Sequence, residues 1–231
     1  MNKPLFATHW PAANPDILQL YSLATPNGQK VSVMLEELGL EYEPHTVNIL
    51  QDDQFTEEFK QYNPNSKIPA IKDPNGPGGQ TVVMMESGAI LLYLAEKTGK
   101  FIPADPVARN ECIQWLFFQM ASIGPMFGQF GHFHKFAREA CLDPYPLERY
   151  SKEARRLLGV LETRLADHDY IMGSDYSIAD IATFPWVRIL GGYYEGAEQL
   201  QLSEFKVVNS WLERCLARPA VQRGLVVCGL D

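Results

Sequence analysis

The chain has 231 residues, 46% of them apolar, which is enough to bury one large core or two modest ones. A net charge of −8 excludes the basic surface that a phosphate backbone needs, so no nucleic-acid partner is expected, although a helix N-terminus or a single arginine can still hold a small anion. No apolar run approaches a membrane-spanning length and the first residues lack the apolar centre of a signal peptide, so no membrane association and a cytoplasmic location are expected.

In chain order, residues 1–16 hold three prolines and no period, and read as an irregular N-terminal arm. Alternation over Ile17–Leu23 predicts a strand that stops at Thr25-Pro26-Asn27-Gly28. A helical period follows, with Val31, Met34, Leu35 and Leu38 on one face and Gly39 as its stop. Tyr42–Ile49 reads as a second strand and Phe55–Gln61 as a short helix. A turn over residues 63–69 leads to a strand at Ala70–Lys72, a Gly/Pro-rich turn, a hairpin partner at Thr81–Met85 and an apolar helix at Gly88–Lys97. The order β-α-β-(α)-β-β-α over residues 17–97 is that of a thioredoxin-like α/β domain.

Residues 98–106 read as a linker, and 107–231 as an all-helical C-terminal domain. Its predicted helices run from Val107 to about Ile123 with a kink or break at Gly124-Pro125, from Pro146 to Ala166, from Ser177 onward, and from about Ser203 to Ala217. Cys112, Cys141, Cys215 and Cys228 lack CxxC or metal-type spacing and read as reduced thiols. All four fall in the second half, so no cysteine is expected in the N-terminal domain.

Three segments could carry chemistry. Thr25-Pro26 is a good helix cap and first-turn pair, but the Thr25 hydroxyl and Asn27 amide could also donate to a thiolate at the helix N-terminus, where the anion is favoured. Pro69, entering a strand after a turn, is either a plain turn residue or a cis-proline that turns the Ile68 backbone outward to pair with an extended peptide. Glu86-Ser87 is either another cap or a grip for an α-amino acid end group, Ser87 holding the carboxylate and Glu86 the ammonium. The last reading suits the γ-glutamyl end of glutathione.

These segments resemble a known family. Glu86-Ser87-Gly88-Ala89-Ile90, Asn63-Pro64 followed by Lys67-Ile68-Pro69-Ala70, Ser177-Ile178-Ala179-Asp180-Ile181-Ala182, and Trp211 with Arg218-Pro219-Ala220-Val221 are similar to glutathione transferase motifs over about residues 17–225. Within the family, Thr25-Pro26-Asn27-Gly28-Gln29-Lys30, residues 124–129 and Glu148-Arg149-Tyr150 resemble the bacterial nu class, which is associated with glutathione-dependent disulfide-bond reductase activity. The resemblance implies the glutathione transferase fold, a homodimer, and glutathione as co-substrate, two molecules or one glutathione disulfide per subunit. It implies that Thr25 and Asn27 flank the glutathione sulfur as the catalytic pair. It further implies that Ile68 gives backbone hydrogen bonds to the cysteinyl unit, that Pro69 matches the family's cis-proline, that Glu86 and Ser87 hold the γ-glutamyl end, that Lys67 and Gln54 also contact glutathione, and that Arg149 reaches the neighbouring subunit's ligand. The acidic run Gln51-Asp52-Asp53-Gln54 departs from the Gly/Lys-richer loop of that class.

The expected activity is reduction of a small-molecule or other disulfide substrate by a glutathione thiolate, without a protein cysteine. Conjugation or aryl-ether cleavage of electrophiles, and a non-catalytic glutathione- or protein-binding module, are the alternatives. Other candidates read as structure. His132 and His134 point to different helix faces and predict no metal site. Phe127, Phe130, Phe133 and Phe136 read as core before electrophile pocket. Ser177-x-x-Asp180 reads as a capping box. Ser22 is a rival to Thr25 whose facing is open.

Overall fold

The computed structural model describes residues 9–230, so the first eight residues of the predicted arm lie outside the described region. The chain forms two compact units: the residues up to Thr98 together with those from Pro219 onward, and Gly99–Arg218.

The first unit is a thioredoxin-like layer. Strand β1 (Leu18–Ser22) leads through Thr25 into helix α1 (Pro26–Leu38), which ends at Gly39, and then into β2 (Tyr42–Thr46). After the short α2 (Glu57–Lys60) come β3 (Ala70–Asp73), β4 (Val82–Met85) and α3 (Ser87–Thr98). The four-stranded sheet has the order β2-β1-β3-β4, with β1 parallel to β2 and antiparallel to β3, and β3 antiparallel to β4. Leu20, Val31, Met34, Leu35, Ile71, Ile90, Leu91 and Leu94 have no exposed surface, and each such side chain contributes about 2 kcal/mol relative to exposure.

Residues 9–16 belong to this unit. The Trp10 indole donates to the Thr46 carbonyl at 2.7 Å and stands edge-on to Tyr21 and Phe59. The Ala13 and Asn14 amides donate to the Glu43 carboxylate.

The predicted helical domain 107–231 extends too far: the contacts of its last stretch are with the first unit. Helix α1 is buried on two faces, one beneath α3 and one beneath a helix absent from the sequence reading, numbered α9 below (Pro219–Gly224). The Ser32 hydroxyl donates to the Gly224 carbonyl at 2.7 Å, the Gln29 amide to Leu225 at 3.1 Å, and Arg223 pairs with Glu36 at 2.6 Å. Gly224 sits directly on Val33, where a methyl group would come within 2.6 Å of the Val33 Cα.

The second unit is helical. Helix α4 (Pro106–Phe118) is capped by Asp105 and runs through a π-helical turn at Gln119–Ile123 into α5 (Gly124–Gly131), followed by another π-helical turn at His132–Phe136. The break expected at Gly124-Pro125 is therefore a widened turn, which makes room for the proline that lacks an N–H. Helices α6 (Pro144–Leu165), α7 (Ile178–Gly191) and α8 (Lys206–Leu216) complete it. At the start of α7 the buried Asp180 carboxylate accepts from the Ile171 and Ser177 amides, the Ser177 hydroxyl and the Trp211 indole, all at 2.8–3.0 Å. Ser177 and Asp180 close a capping box.

Candidate active site

The sheet register brings the three candidate segments to one edge. Tyr21 of β1 pairs with Ala70 of β3, which pairs with Met85 of β4. Pro69 immediately precedes Ala70, Glu86 immediately follows Met85, and the chain leaves Tyr21 toward Thr25 and α1. Adjacent strands lie about 4.8 Å apart. A loop with a helix start, a strand entry and a second helix start therefore stand side by side.

At the first position Thr25 is half-buried and extended (φ −87°, ψ 165°), and its hydroxyl oxygen accepts from the Gly28 amide at 3.4 Å. That bond uses the oxygen as acceptor and leaves the hydroxyl hydrogen to be donated. Half-buried Asn27 occupies the first turn. The turn is tight because residue 28 is glycine: a methyl group there would lie 1.9 Å from the Leu23 carbonyl oxygen and 2.5 Å from the Ser22 hydroxyl. The same packing answers the facing of Ser22, whose side chain is buried under this turn.

At the second position the Ile68–Pro69 peptide bond is cis. The preceding turn is held by Asn63, whose side-chain amide donates to the Lys67 carbonyl at 2.6 Å while its oxygen accepts from Asn65 at 2.8 Å. Lys67 is exposed, and Ile68 packs against the cluster of Trp10, Tyr21, Val47, Phe59 and Ala70.

At the third position Glu86 has a left-handed backbone (φ 69°), a conformation costing a non-glycine residue about 1 kcal/mol or more. Its carbonyl accepts the first bond of α3 from Ile90 at 2.9 Å, and its side chain is exposed. Ser87 is buried, and its hydroxyl accepts from the Lys30 ammonium at 3.2 Å. Lys30 itself is 1% exposed. Burial draws its pKa down to about 7, with the Glu86 carboxylate opposing. A helix N-terminus, a serine, an outward carboxylate and a buried ammonium thus meet at one point, and Lys30 is the member that sequence reasoning missed. The signal was weak: apolar residues on both faces of α1, among them Val31 and Val33, marked this helix as having little surface on which to place a lysine.

Gln54 lies on a 3-10 turn at Asp53–Phe55, is buried, and has a side-chain oxygen with no hydrogen-bond partner among the described residues. Arg149 lies exposed on α6 of the second unit, in a depression of about 650 Å³ shared with Met126, Tyr145, Tyr150 and Glu153.

The N-terminal unit does contain a cysteine, contrary to the sequence expectation, because the C-terminal segment folds back into it. The Cys228 carbonyl accepts from the Ala24 amide at 3.1 Å, and burial pushes its thiol up to about 11, making it a poor nucleophile beside the Thr25 loop. Cys112, Cys141 and Cys215 lie in the helical unit and form no disulfide. His134 stacks on Phe130 and His132 stands edge-on to Phe133, and no metal-holding group occurs among the described residues. The phenylalanine row divides: Phe127 and Phe130 are core, Phe133 stacks on Tyr150, and Phe136 is exposed.

Family models for the glutathione S-transferase N-terminal domain and C-terminal domain match residues 24–97 and 123–219. The disulfide-bond oxidoreductase YghU of Escherichia coli is 46% identical over 220 residues, covering 91% of this chain and 74% of that protein. The chain belongs to the glutathione S-transferase family. Among solved structures, a glutathione transferase from Burkholderia graminis, with two glutathione molecules bound per subunit, is 55% identical with a TM-score of 0.93 and covers 97% of this chain and 98% of its own. One from Pseudomonas putida, with one glutathione disulfide bound per subunit, is 54% identical with a TM-score of 0.92 and covers 94% of each chain. The first family model begins at Ala24, one residue before Thr25, and ends at Lys97, so all three segments of the site fall inside it.

Proposed function

We propose that this chain is a nu-class, glutathione-dependent disulfide-bond reductase whose working thiol is that of bound glutathione. The observation that carries the proposal is the cross-strand row Tyr21–Ala70–Met85, which sets the Thr25 loop, the cis-proline and the Glu86-Ser87 helix start beside one another. The oxidoreductase name of the Escherichia coli relative and the ligands of the two solved relatives agree with it.

In this reading glutathione lies extended along the sheet edge. Its γ-glutamyl end is held by Glu86 and Ser87, its cysteinyl unit by the Ile68 backbone beside Lys67 and Pro69, and Gln54 completes the cradle. Thr25 and Asn27 donate to the sulfur at the α1 N-terminus and stabilise the thiolate. The thiolate attacks one sulfur of the substrate disulfide, forming a mixed disulfide and releasing the other sulfur as thiolate. A second glutathione thiolate attacks the glutathione sulfur of that mixed disulfide, releasing the second substrate thiolate and leaving glutathione disulfide. Two glutathiones supply the two electrons. Arg149 contacts the ligand of the neighbouring subunit in a homodimer, and four cysteines held outside any disulfide suit a reducing cytoplasm.

The test is glutathione-dependent reduction of a small disulfide by a variant with Cys112, Cys141, Cys215 and Cys228 all replaced by Ala. Activity within about threefold of the parent is expected, because Cys228 is held as an inert thiol. Loss of activity by a folded variant, or turnover of a chloro-nitroaromatic acceptor with none of the disulfide, would overturn the assignment.

A further inference from the structure

We propose that Lys30 is the positioning residue of the γ-glutamyl site, a buried counter-charge that holds the carboxylate of glutathione through Ser87. This inference rests on the glutathione reading and adds to it a residue, a charge and a pH dependence.

The geometry carries it. Lys30 leaves the second turn of α1 and runs into the interior, where its ammonium reaches the Ser87 hydroxyl at the first residue of α3. Burial disfavours the ammonium's charge, so an anion placed beside the α3 start is favoured by the positive charge held there. An anion on the far side of Ser87 interacts favourably with that charge. The serine then accepts from Lys30 and donates to the ligand carboxylate, while the α3 N-terminus adds its partial positive charge. Glu86, held outward by its left-handed backbone, is left for the ligand's ammonium.

Charges on the elements packed against α1 and α3 form pairs of their own. Arg223 of α9 pairs with Glu36 of α1, and Asp73 of β3 pairs with Lys97 of α3. Glu86 is the carboxylate that bears on Lys30.

A thermodynamic consequence follows. The Lys30 pKa of about 7 in the free protein must rise when a carboxylate binds beside it. Below that value both the free and the bound forms carry the charge, and affinity does not vary with pH. Above it the free protein has lost the proton that the complex keeps, so binding takes up a proton and affinity falls, by at most tenfold per pH unit.

The experiment measures Kd for S-methylglutathione, which has no titrating thiol, between about pH 6.5 and about pH 8.5. The parent, a Lys30→Met variant and an analogue whose γ-glutamyl unit is replaced by 4-aminobutyryl, which lacks only the carboxylate, are compared. The parent Kd should rise by roughly tenfold over this range. Lys30→Met should bind more weakly at the low end, and its Kd should lack that rise. The 4-aminobutyryl analogue on the parent protein should also lack the rise, an arm that needs no variant to fold. A parent-like slope in Lys30→Met, or the same slope with the analogue, overturns the role of Lys30 while leaving the glutathione reading intact. Failure of the parent to bind S-methylglutathione at any pH removes that reading, and this inference with it.

Discussion

Two helix starts of this chain combine a serine with an acidic residue, three positions after it at α7 and immediately before it at α3, and they put that pair to opposite uses. At α7, Ser177 and Asp180 are buried and turned on each other, and the Asp180 carboxylate is filled by the Ile171 and Ser177 amides, the Ser177 hydroxyl and the Trp211 indole. At α3, Glu86 is turned out by a left-handed backbone, and Ser87 is backed by a buried ammonium that raises the positive potential of the helix start. The first start is complete within its own unit. The second carries a concentration of positive charge and donors suited to an outside anion. The difference lies in the electrostatics behind the serine, which is why a serine and a carboxylate yield a folding element in one place and a candidate binding site in the other.

That contrast can be broken at either end. The largest effect is expected for Asp180→Ala, which strands the Trp211 indole and the Ser177 and Ile171 amides without their acceptor. It should lower unfolding free energy by about 3–5 kcal/mol in denaturant titration. A loss below about 1 kcal/mol would show that the α7 start is not the structural element described. Ser87→Ala should act the other way round. Glutathione affinity should fall by roughly ten- to a hundredfold, the value of a hydrogen bond to a charged group, while stability drops far less than in Asp180→Ala. Equal affinity in the Ser87 variant would remove the distinction between the two helix starts.

Much of the N-terminal layer was legible because its signals are local. The turn Thr25-Pro26-Asn27-Gly28, the stop at Gly39 and the alternation in β1 each reflect a preference of a few neighbouring residues. The cis state of Pro69 was one of two readings, because the bond's isomer is set by the tertiary surroundings of Ile68 and not by the dipeptide. What stayed hidden depends on long-range return of the chain. Helix α9 is six residues long with no amphipathic period of its own, and it exists because Gly224 can settle on Val33 nearly two hundred positions away. That return also carries Cys228 to the Thr25 loop and completes the burial of α1. Lys30 was hidden for the same reason: a lysine in a helix reads as solvated until both faces of that helix are known to be covered. Between α4 and α5, the Gly124-Pro125 pair signalled a disturbance correctly, but nothing local distinguishes a break from a π-helical turn.

The central claim is that the thiol belongs to the ligand and is activated by Thr25 and Asn27. The most direct measurement follows the ultraviolet absorbance of the thiolate against pH for glutathione bound to the variant lacking all four cysteines. The bound thiol should titrate about two pH units below the ordinary thiol value near 8.5, and Thr25→Val in the same background should return it most of the way. A bound glutathione that titrates as it does in water, with or without Thr25, would contradict the account.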